Sequence, residues 1–163
     1  MDPQQGFTEF CSATKDSCLR ALVAGGAERA AAEEALAEAF ARAWARWPVV
    51  SRHPAPTAWV MRVALNHQIS RWRRHRREVT LGGSGADTAA HDAGYRSDRD
   101  DLLRAVASLP ERQRQVVALR ILLDLDTQQT GDVLGIAAGT VTAHLHRALT
   151  TLRTRVTETT ESH

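Results

Sequence analysis

The chain has 163 residues, of which 43% are hydrophobic and 25% are charged, and its formal net charge is +2. No stretch approaches the roughly 20 apolar residues that a membrane-spanning helix needs, and the N-terminus lacks the basic region and apolar run of a signal peptide. We therefore expect a cytoplasmic protein without membrane insertion. Abundant alanine and few aromatic residues favour helix over sheet, so the predicted fold class is all-α.

Two helices are predicted in the first 47 residues. The first spans about residues 7–23, where apolar residues recur at a helical period, and Gly25 and Gly26 end it. The second spans about residues 28–47 and carries an apolar stripe made of Leu36, Phe40, Ala43, Trp44 and Trp47. Cys11 and Cys18 lie two helical turns apart, about 10 Å, which is too far for a disulfide. Both are expected to be buried, reduced thiols.

Residues 48–57 contain three prolines, which predict a stiff, non-helical loop before a third helix that opens at Pro56 or Thr57. The apolar stripe of this helix consists of Ala58, Met61, Leu65, Ile69 and Trp72, and we expect Trp72 to pack inward. The opposite side carries Trp59, Asn66, Ser70, Arg73 and Arg77, with Arg62 at its edge. The helix continues through residues 71–77, where five arginines in seven residues indicate an anionic partner.

Residues 79–99 lack any helical period and are rich in glycine, small residues and acids, which predicts a flexible linker. About 20 residues of extended chain reach roughly 70 Å. Helices resume at residues 100–109 and again from Pro110, which suits the first turn of a helix.

The segment TQQTGDVLGIAAGTVTAHLHRALTTLRTRV predicts a helix-turn-helix. Asp126 or Thr127 would cap a helix that ends at Leu134 and is stopped by Gly135. Thr140 would then cap a second helix that runs to about residue 156. A glycine in mid-helix, at position 131, is expected where two helices cross too closely for a side chain.

The second helix of this motif would present Thr142, Ala143, His146 and Arg147 outward, with His144 at its side. These offsets favour DNA binding over a plain helical hairpin. His144 and His146 are not one turn apart, which argues against a zinc site.

Two stretches in this order resemble a known family. AEEALAEAFARAWARW, a proline-rich loop and TAWVMRVALNHQISRWRRHRR come first, and LPERQRQVVALRILLDL followed by TGDVLGIAAGTVTAHLHRALTTLR comes after the linker. Together they resemble a bacterial RNA polymerase sigma factor of the extracytoplasmic-function (ECF) group. The resemblance implies two helical domains, a region-two-like domain at residues 1–78 and a region-four-like helix-turn-helix domain at residues 100–158. The linker spans residues 79–99, and a disordered tail is expected at residues 159–163.

The resemblance also implies partners and roles. A sigma factor binds core RNA polymerase through the β′ clamp helices and the β flap, binds promoter DNA, and is often held inactive by an anti-sigma factor. It is not an enzyme and needs no cofactor or metal. The residues matched to polymerase binding are Glu34, Glu38, Phe40, Arg42 and Trp44. Those matched to the minus-ten element are Ser51, Arg52, His53, Trp59, Arg62, Asn66, Ser70, Arg73, Arg74 and Arg77. Those matched to the minus-thirty-five element are Gly139, Thr140, Thr142, Ala143, His144, His146 and Arg147.

Three positions depart from the family pattern. Ser70 stands where an acid is usual, and Thr142 and His144 stand where basic residues are common, which predicts fewer charge-assisted contacts in the recognition helix. The alternative is a LuxR-type helix-turn-helix regulator, which GTVTAHLHRAL also resembles. That alternative leaves residues 1–77 unexplained. An enzyme is disfavoured because no glycine-rich phosphate loop, Cys/His metal cluster or nucleophile elbow occurs.

Overall fold

The computed structural model describes residues 2–79 and 98–162, so most of the linker predicted at residues 79–99 lies outside the described residues. The described chain is helical and contains no strand, which confirms the all-α prediction. The N-terminal helices are α1 (Pro3–Ala24), α2 (Arg29–Ala45), α3 (Trp47–Val50) and α4 (Pro56–Val79). The C-terminal helices are α5 (Asp98–Ala107), α6 (Glu111–Val117), a π-helical segment (Ala118–Leu122), α7 (Thr127–Leu134) and α8 (Ala138–Glu161).

Helix α1 begins four residues earlier than the hydrophobic period predicts. Asp2 caps it by accepting a hydrogen bond from the Gln4 amide at 3.3 Å, and Pro3 occupies the first turn, where its missing N–H costs nothing. Gly26 adopts a φ of +111°, a conformation that an L-residue rarely takes, and turns the chain into α2.

A stripe of alanines lets α2 approach α4 closely. Ala32, Ala35, Ala39 and Ala43 are all fully buried, and α4 is the neighbour that α2 contacts most extensively. The first half of α4 supplies the other side of this contact with Ala58, Val60, Met61 and Ala64, which are also buried. Small side chains on both helices, together with Val60 and Met61 of α4, form a dense contact with short separation.

Aromatic rings close the end of α2 against α1. The ring centroid of Phe7 lies 5.1 Å from that of Trp44 and 5.2 Å from that of Trp47, and Phe10 lies 6.0 Å from Phe40. Such tilted and edge-on pairs stabilise beyond the area they bury. Trp47 is buried, as the stripe predicted, whereas Trp44 keeps nearly half of its surface exposed.

The segment after α2 corrects the prediction of a wholly non-helical loop. Residues 47–50 form the short helix α3, because Pro48 lies in its first turn, where proline is compatible with a helix. The following residues continue in hydrogen-bonded turns. The Ser51 amide donates to the Trp47 carbonyl at 2.8 Å, and the His53 amide donates to the Val50 carbonyl at 3.0 Å.

The second half of α4 corrects a second prediction. Trp72 was expected in the core, but 57% of its surface is exposed, and Ile69 is exposed as well. Among the described residues of α4, none after Ala64 is fully buried. The periodic stripe therefore continues beyond the point where another helix covers it, and the arginine-rich end projects from the core.

The helix-turn-helix forms largely as predicted, with different limits. Asp126 and Gln129 make a reciprocal capping box at the start of α7, and Gly135 ends it with a φ of +67°. Helix α8 starts at Ala138 and not after a Thr140 cap, because the Thr140 amide already donates to the Ala137 carbonyl at 3.0 Å. It continues to Glu161, so residues 159–161 are helical where a disordered tail was expected.

The C-terminal helices share a core with the N-terminal ones. Ala105, Leu109, Val117, Ala148 and Leu152 form a small core of their own among α5, α6 and α8. Ala118, Leu119, Leu125 and Val133 belong instead to the main cluster that contains Cys18, Leu22 and Met61. The two units are therefore packed together.

Gly131 tests the close crossing of α7 and α8. A Cβ at this position would lie 2.6 Å from the Ile136 carbonyl oxygen, which belongs to the backbone and cannot move aside cheaply. We expect Gly131→Ala to lower the free energy of unfolding by about 1–3 kcal/mol in urea titrations, despite the better helix propensity of alanine. The matched control is Gly139→Ala, because nothing lies within 4 Å of its added Cβ. That variant should be neutral or gain up to about 1 kcal/mol, and equal losses in both variants would contradict this account.

Candidate nucleic-acid interface

The turn after α3 forms a tip of three exposed residues that directly follow a buried one. Ser51, Arg52 and His53 are exposed, while Val50 immediately before them is fully buried. The Ala55 amide donates to Nδ1 of His53 at 3.0 Å, so this nitrogen is an acceptor and the ring orientation is fixed. The tip is thus rigid and presents hydroxyl, guanidinium and imidazole groups outward.

Val49 is a member of this tip that sequence reasoning did not single out. Its side chain is 70% exposed beside Ser51 and Arg52. An exposed apolar group next to polar donors could contact the face of a base. A single exposed valine carries no distinctive sequence signal, since its exposure follows only from the way α3 turns.

Helix α4 aligns most of the predicted DNA-contacting side chains in one row. Arg62, Asn66, Ser70, Arg73 and Arg77 are all exposed and recur every three or four residues. The fifteen helical rises from Arg62 to Arg77 give this row a length of about 23 Å. Trp59 departs from the prediction, because it is half-buried and packs against the main core, so only part of its ring can reach a ligand.

The five arginines of residues 71–77 make different contacts. Arg71 forms an ion pair with Glu34 of α2, and Nε2 of His67 lies 3.8 Å from the same carboxylate. Arg74 lines the small cleft beside this pair. Arg76 places its guanidinium 4.6 Å from the centroid of the Trp72 ring, a cation–π contact. Only Arg73 and Arg77 of the five lie in the row.

The residues predicted to bind polymerase divide between two faces of α2. Glu38 pairs with Arg42 at 2.9 Å, and Glu34 lies one turn before Glu38 on the same side. Phe40 and Trp44 lie about half a turn away and contact Phe10 and Phe7 of α1. The structure therefore brings together the charged members of this set and separates them from the aromatic pair.

The recognition helix presents most of its predicted residues. Gly139, Thr140, Thr142, His146 and Arg147 are exposed, whereas Ala143 and His144 are half-buried. Nδ1 of His144 is buried without a hydrogen-bond partner among the described residues. His144 thus turns partly toward the body of the unit, although it was matched to the minus-thirty-five element.

The two cysteines are free thiols, as expected. Cys18 is fully buried and burial raises its pKa to about 12. Cys11 is half-buried, where full burial was predicted, and its pKa is also raised, mainly by burial, with Lys15 opposing the shift. In residues 2–79 and 98–162 no three His, Cys, Asp or Glu side chains group as a metal ion would require. None of the helices in these ranges is long and apolar enough to cross a membrane.

An exposed tip, a basic row and a helix-turn-helix on one all-α chain define a DNA-binding protein of transcription. Two family models match it, "Sigma-70 region 2" over residues 18–78 and "Sigma-70, region 4" over residues 99–152. The chain belongs to the sigma factors of bacterial RNA polymerase, in the ECF group. Members of this family are initiation factors and not enzymes. The region 2 match also accounts for the N-terminal half, which a LuxR-type regulator leaves unexplained.

Sigma factors from other bacteria are similar in sequence to this chain over most of its length. The RNA polymerase sigma-E factor of Streptomyces coelicolor is 31% identical over 148 residues, covering 90% of this chain and 84% of that protein. The ECF RNA polymerase sigma factor SigL of Mycobacterium tuberculosis is 30% identical over 137 residues, covering 80% of this chain and 77% of that protein.

Solved structures share the fold. The sigma factor RpoE, in complex with the anti-sigma factor NepR from Bartonella quintana, matches with a TM-score of 0.76 at 22% identity over 94% of this chain and 98% of that chain. CnrH, in complex with the cytosolic domain of CnrY, matches with a TM-score of 0.59 at 18% identity over 93% of this chain and 87% of that chain.

The Glu34–Arg71 pair predicts how charge is distributed on α4. Glu34→Gln would release the Arg71 guanidinium, so the plot of log affinity for DNA against log salt should steepen by up to about 0.9, the value for one further phosphate contact. The matched control is Glu33→Gln, which removes the same charge from an exposed pair with Arg29, within α2. Fluorescence anisotropy between 50 and 200 mM salt measures both slopes, and equal slopes for the two variants would contradict the assignment.

Proposed function

We propose that this sigma factor opens promoters with the tip at residues 51–53 and the row on α4, while α8 reads the upstream element. The observation that carries the proposal is the rigid, exposed tip, which follows the buried Val50 and leads directly into the basic row. A surface of this kind can hold a base outside the helix and grip the phosphates beside it.

The tip suits the capture of an unstacked base. Flipping a base out of the duplex costs a few kcal/mol, and this cost is offset only by a pocket or surface that is already ordered. The turns at residues 51–53 are fixed by their backbone hydrogen bonds and by the His53 contact to Ala55. Ser51 and His53 supply hydrogen-bonding groups, and Val49 supplies an apolar contact.

The row on α4 suits the strand beside the opening. Arg62, Arg73 and Arg77 would neutralise phosphates, and Asn66 and Ser70 between them offer neutral hydrogen bonds. Ser70 in place of an acid removes a repulsion from the phosphates. Helix α8 would lie in the major groove with Thr142, His146 and Arg147 toward the bases, and Gly139 and Thr140 near the backbone.

The charged side of α2, with Glu34, Glu38 and Arg42, is our proposed contact with the β′ clamp helices. It is exposed and its charges are arranged at one-turn spacing. Phe40 and Trp44 would support this side by fixing α2 against α1. The domain limits that we propose are residues 1–78 for the polymerase-binding and melting unit and residues 100–158 for the helix-turn-helix unit.

Control by an anti-sigma factor is part of the proposal. RpoE, which shares this fold, was solved in complex with the anti-sigma factor NepR. We infer that this chain works in the cytoplasm, beside the polymerase and the chromosome, and binds a small inhibitory protein there. Affinity capture from native lysate should recover core polymerase and this inhibitor, and recovery of neither would contradict the proposal.

Base capture by the tip can be measured directly. His53→Ala and Ser51→Ala should reduce binding to a promoter fragment with a pre-opened minus-ten element by about 1–3 kcal/mol each, because each removes a contact with the extruded base. Binding by the polymerase holoenzyme is followed by fluorescence anisotropy. The control is the same fragment with an abasic site at the captured position, on which wild type and variants should bind equally. A loss that persists on the abasic fragment would assign these residues to folding or to polymerase binding.

Sequence reading by α8 is tested at Arg147. Arg147→Ala should cost about 1–3 kcal/mol of discrimination between the cognate upstream element and a scrambled one. Arg153→Ala is the matched control, because Arg153 is also exposed on α8 but lies almost two turns further along and on another side. Competition binding with both elements measures the difference, and equal effects of the two variants would show that only net charge matters.

A further inference from the structure

Two large apolar side chains lie exposed at the arginine-rich end of α4. Trp72 is 57% exposed and Ile69 is 47% exposed. They are three residues apart on the helix, so their side chains are neighbours on its surface. Single exposed apolar side chains need no explanation, but this pair forms a continuous patch that includes a large ring.

This patch borders the basic row. Ile69 lies seven residues after Arg62, which is almost two full turns, and Trp72 directly precedes Arg73. Arg62, Asn66 and Arg73 line the same groove as the two apolar side chains. One ligand can therefore contact the indole ring and the guanidinium groups of the row at the same time.

Arg76 contributes to the same surface. Its guanidinium lies over the Trp72 ring, 4.6 Å from the centroid, in a cation–π contact. The contact restricts rotation of the indole, which lowers the entropy lost when a ligand binds. Because the ring is 57% exposed with Arg76 in place, a planar ligand can still stack on it. Ile69, Trp72 and Arg76 thus form one surface, the Trp72 platform.

An aromatic ring beside several cations is suited to a nucleic acid strand. Proteins bind single strands by stacking bases on aromatic rings while cationic side chains contact the phosphates. In a duplex each base is stacked between its neighbours, so only an unpaired base offers a free face to Trp72. Glu111 and Asp132 line the other wall of the groove and repel phosphates. The phosphates are therefore favoured on the row and the uncharged base on Trp72.

A membrane surface fits this helix less well. A helix that lies in a membrane interface needs an apolar face along its length. The apolar face of α4 is instead buried in the protein core, where Met61 is 1% exposed and Ala64 is fully buried. Among the described side chains of α4, Ile69 and Trp72 are the large apolar ones that remain exposed. This area is sufficient for one base but not for insertion into lipid.

We propose that the Trp72 platform binds an unpaired base of promoter DNA, which stacks on the indole while Arg73 holds the neighbouring phosphate. This inference rests on the proposed function of the tip and the row, and it adds a second base contact to the one at residues 51–53. Trp72 lies about 24 Å along α4 from Pro56, the end at which the tip lies. The two contacted bases are therefore several nucleotides apart in the opened strand.

Base stacking is tested with three substitutions of Trp72. Trp72→Ala and Trp72→Leu remove the ring, and Trp72→Phe keeps a smaller one. Holoenzyme that contains the full chain is titrated with a promoter fragment whose minus-ten element is pre-opened, and fluorescence anisotropy gives the dissociation constant. We expect Trp72→Ala and Trp72→Leu to weaken binding roughly 5- to 150-fold, the range for loss of one base stack, and Trp72→Phe to retain most of the affinity. All three should bind as wild type does to a fully paired fragment that carries the minus-thirty-five element alone, where no opened base is present.

Abasic substitution locates the stacked base. Each base of the opened segment is removed from the fragment in turn. At one position wild type should lose the same factor as Trp72→Ala does on the intact fragment, and Trp72→Ala should lose nothing further. This position should differ from the one at which His53→Ala behaves in the same way.

The inference is overturned if Trp72→Ala binds the opened fragment like wild type, if Trp72→Leu binds as well as Trp72→Phe, or if no abasic position removes the effect of Trp72→Ala. Vesicles of phosphatidylglycerol and phosphatidylcholine test the membrane alternative. Vesicle binding that Trp72→Ala abolishes, with DNA affinity unchanged, would also overturn the inference.

His53→Ala, measured in parallel, separates this inference from the proposed function. A loss tied to one abasic position for His53→Ala alone would refute the Trp72 platform and leave base capture by the tip standing. Such a loss for Trp72→Ala alone would support the platform and refute base capture by the tip.

Discussion

The close contact between α2 and the first half of α4 is the constraint on which the rest of the N-terminal unit depends. Four fully buried alanines allow α2 to pack closely against Val60 and Met61 of α4. Because interiors are packed at near-crystalline density, a larger side chain on either helix would displace α4. The direction of α4 sets the direction of the basic row, and its first residues anchor the tip at residues 51–53.

The same contact explains why the first half of α4 is apolar and its second half is cationic. The first half of α4 packs against α2 and carries the buried side chains. The second half extends beyond the core and contacts α2 through the Glu34–Arg71 ion pair. An exposed pair of this kind contributes little to stability, but it fixes where a charge points. The projecting end can therefore present arginines to an extended anion, which a fully packed helix could not do.

The two units of the chain pack together, and their contact brings side chains of opposite charge to one groove. The apolar patch of the C-terminal unit covers the N-terminal core, and the acids of α6 and α7 stand across the groove from the arginines of α4.

The sequence by itself determined the helical class, the helix-turn-helix, the close crossing at Gly131 and the family, because these follow from local period, turn chemistry and short motifs. It also located the exposed tip and most of the row. It misplaced Trp72, since an apolar period shows which side of a helix is hydrophobic but not whether another helix reaches that far. Only the tertiary structure decided that Glu34 pairs with Arg71, that Phe40 and Trp44 lie apart from the charges of α2, and that Leu119 leaves its own unit. Each of these depends on contacts between residues distant in sequence, and no local pattern encodes them.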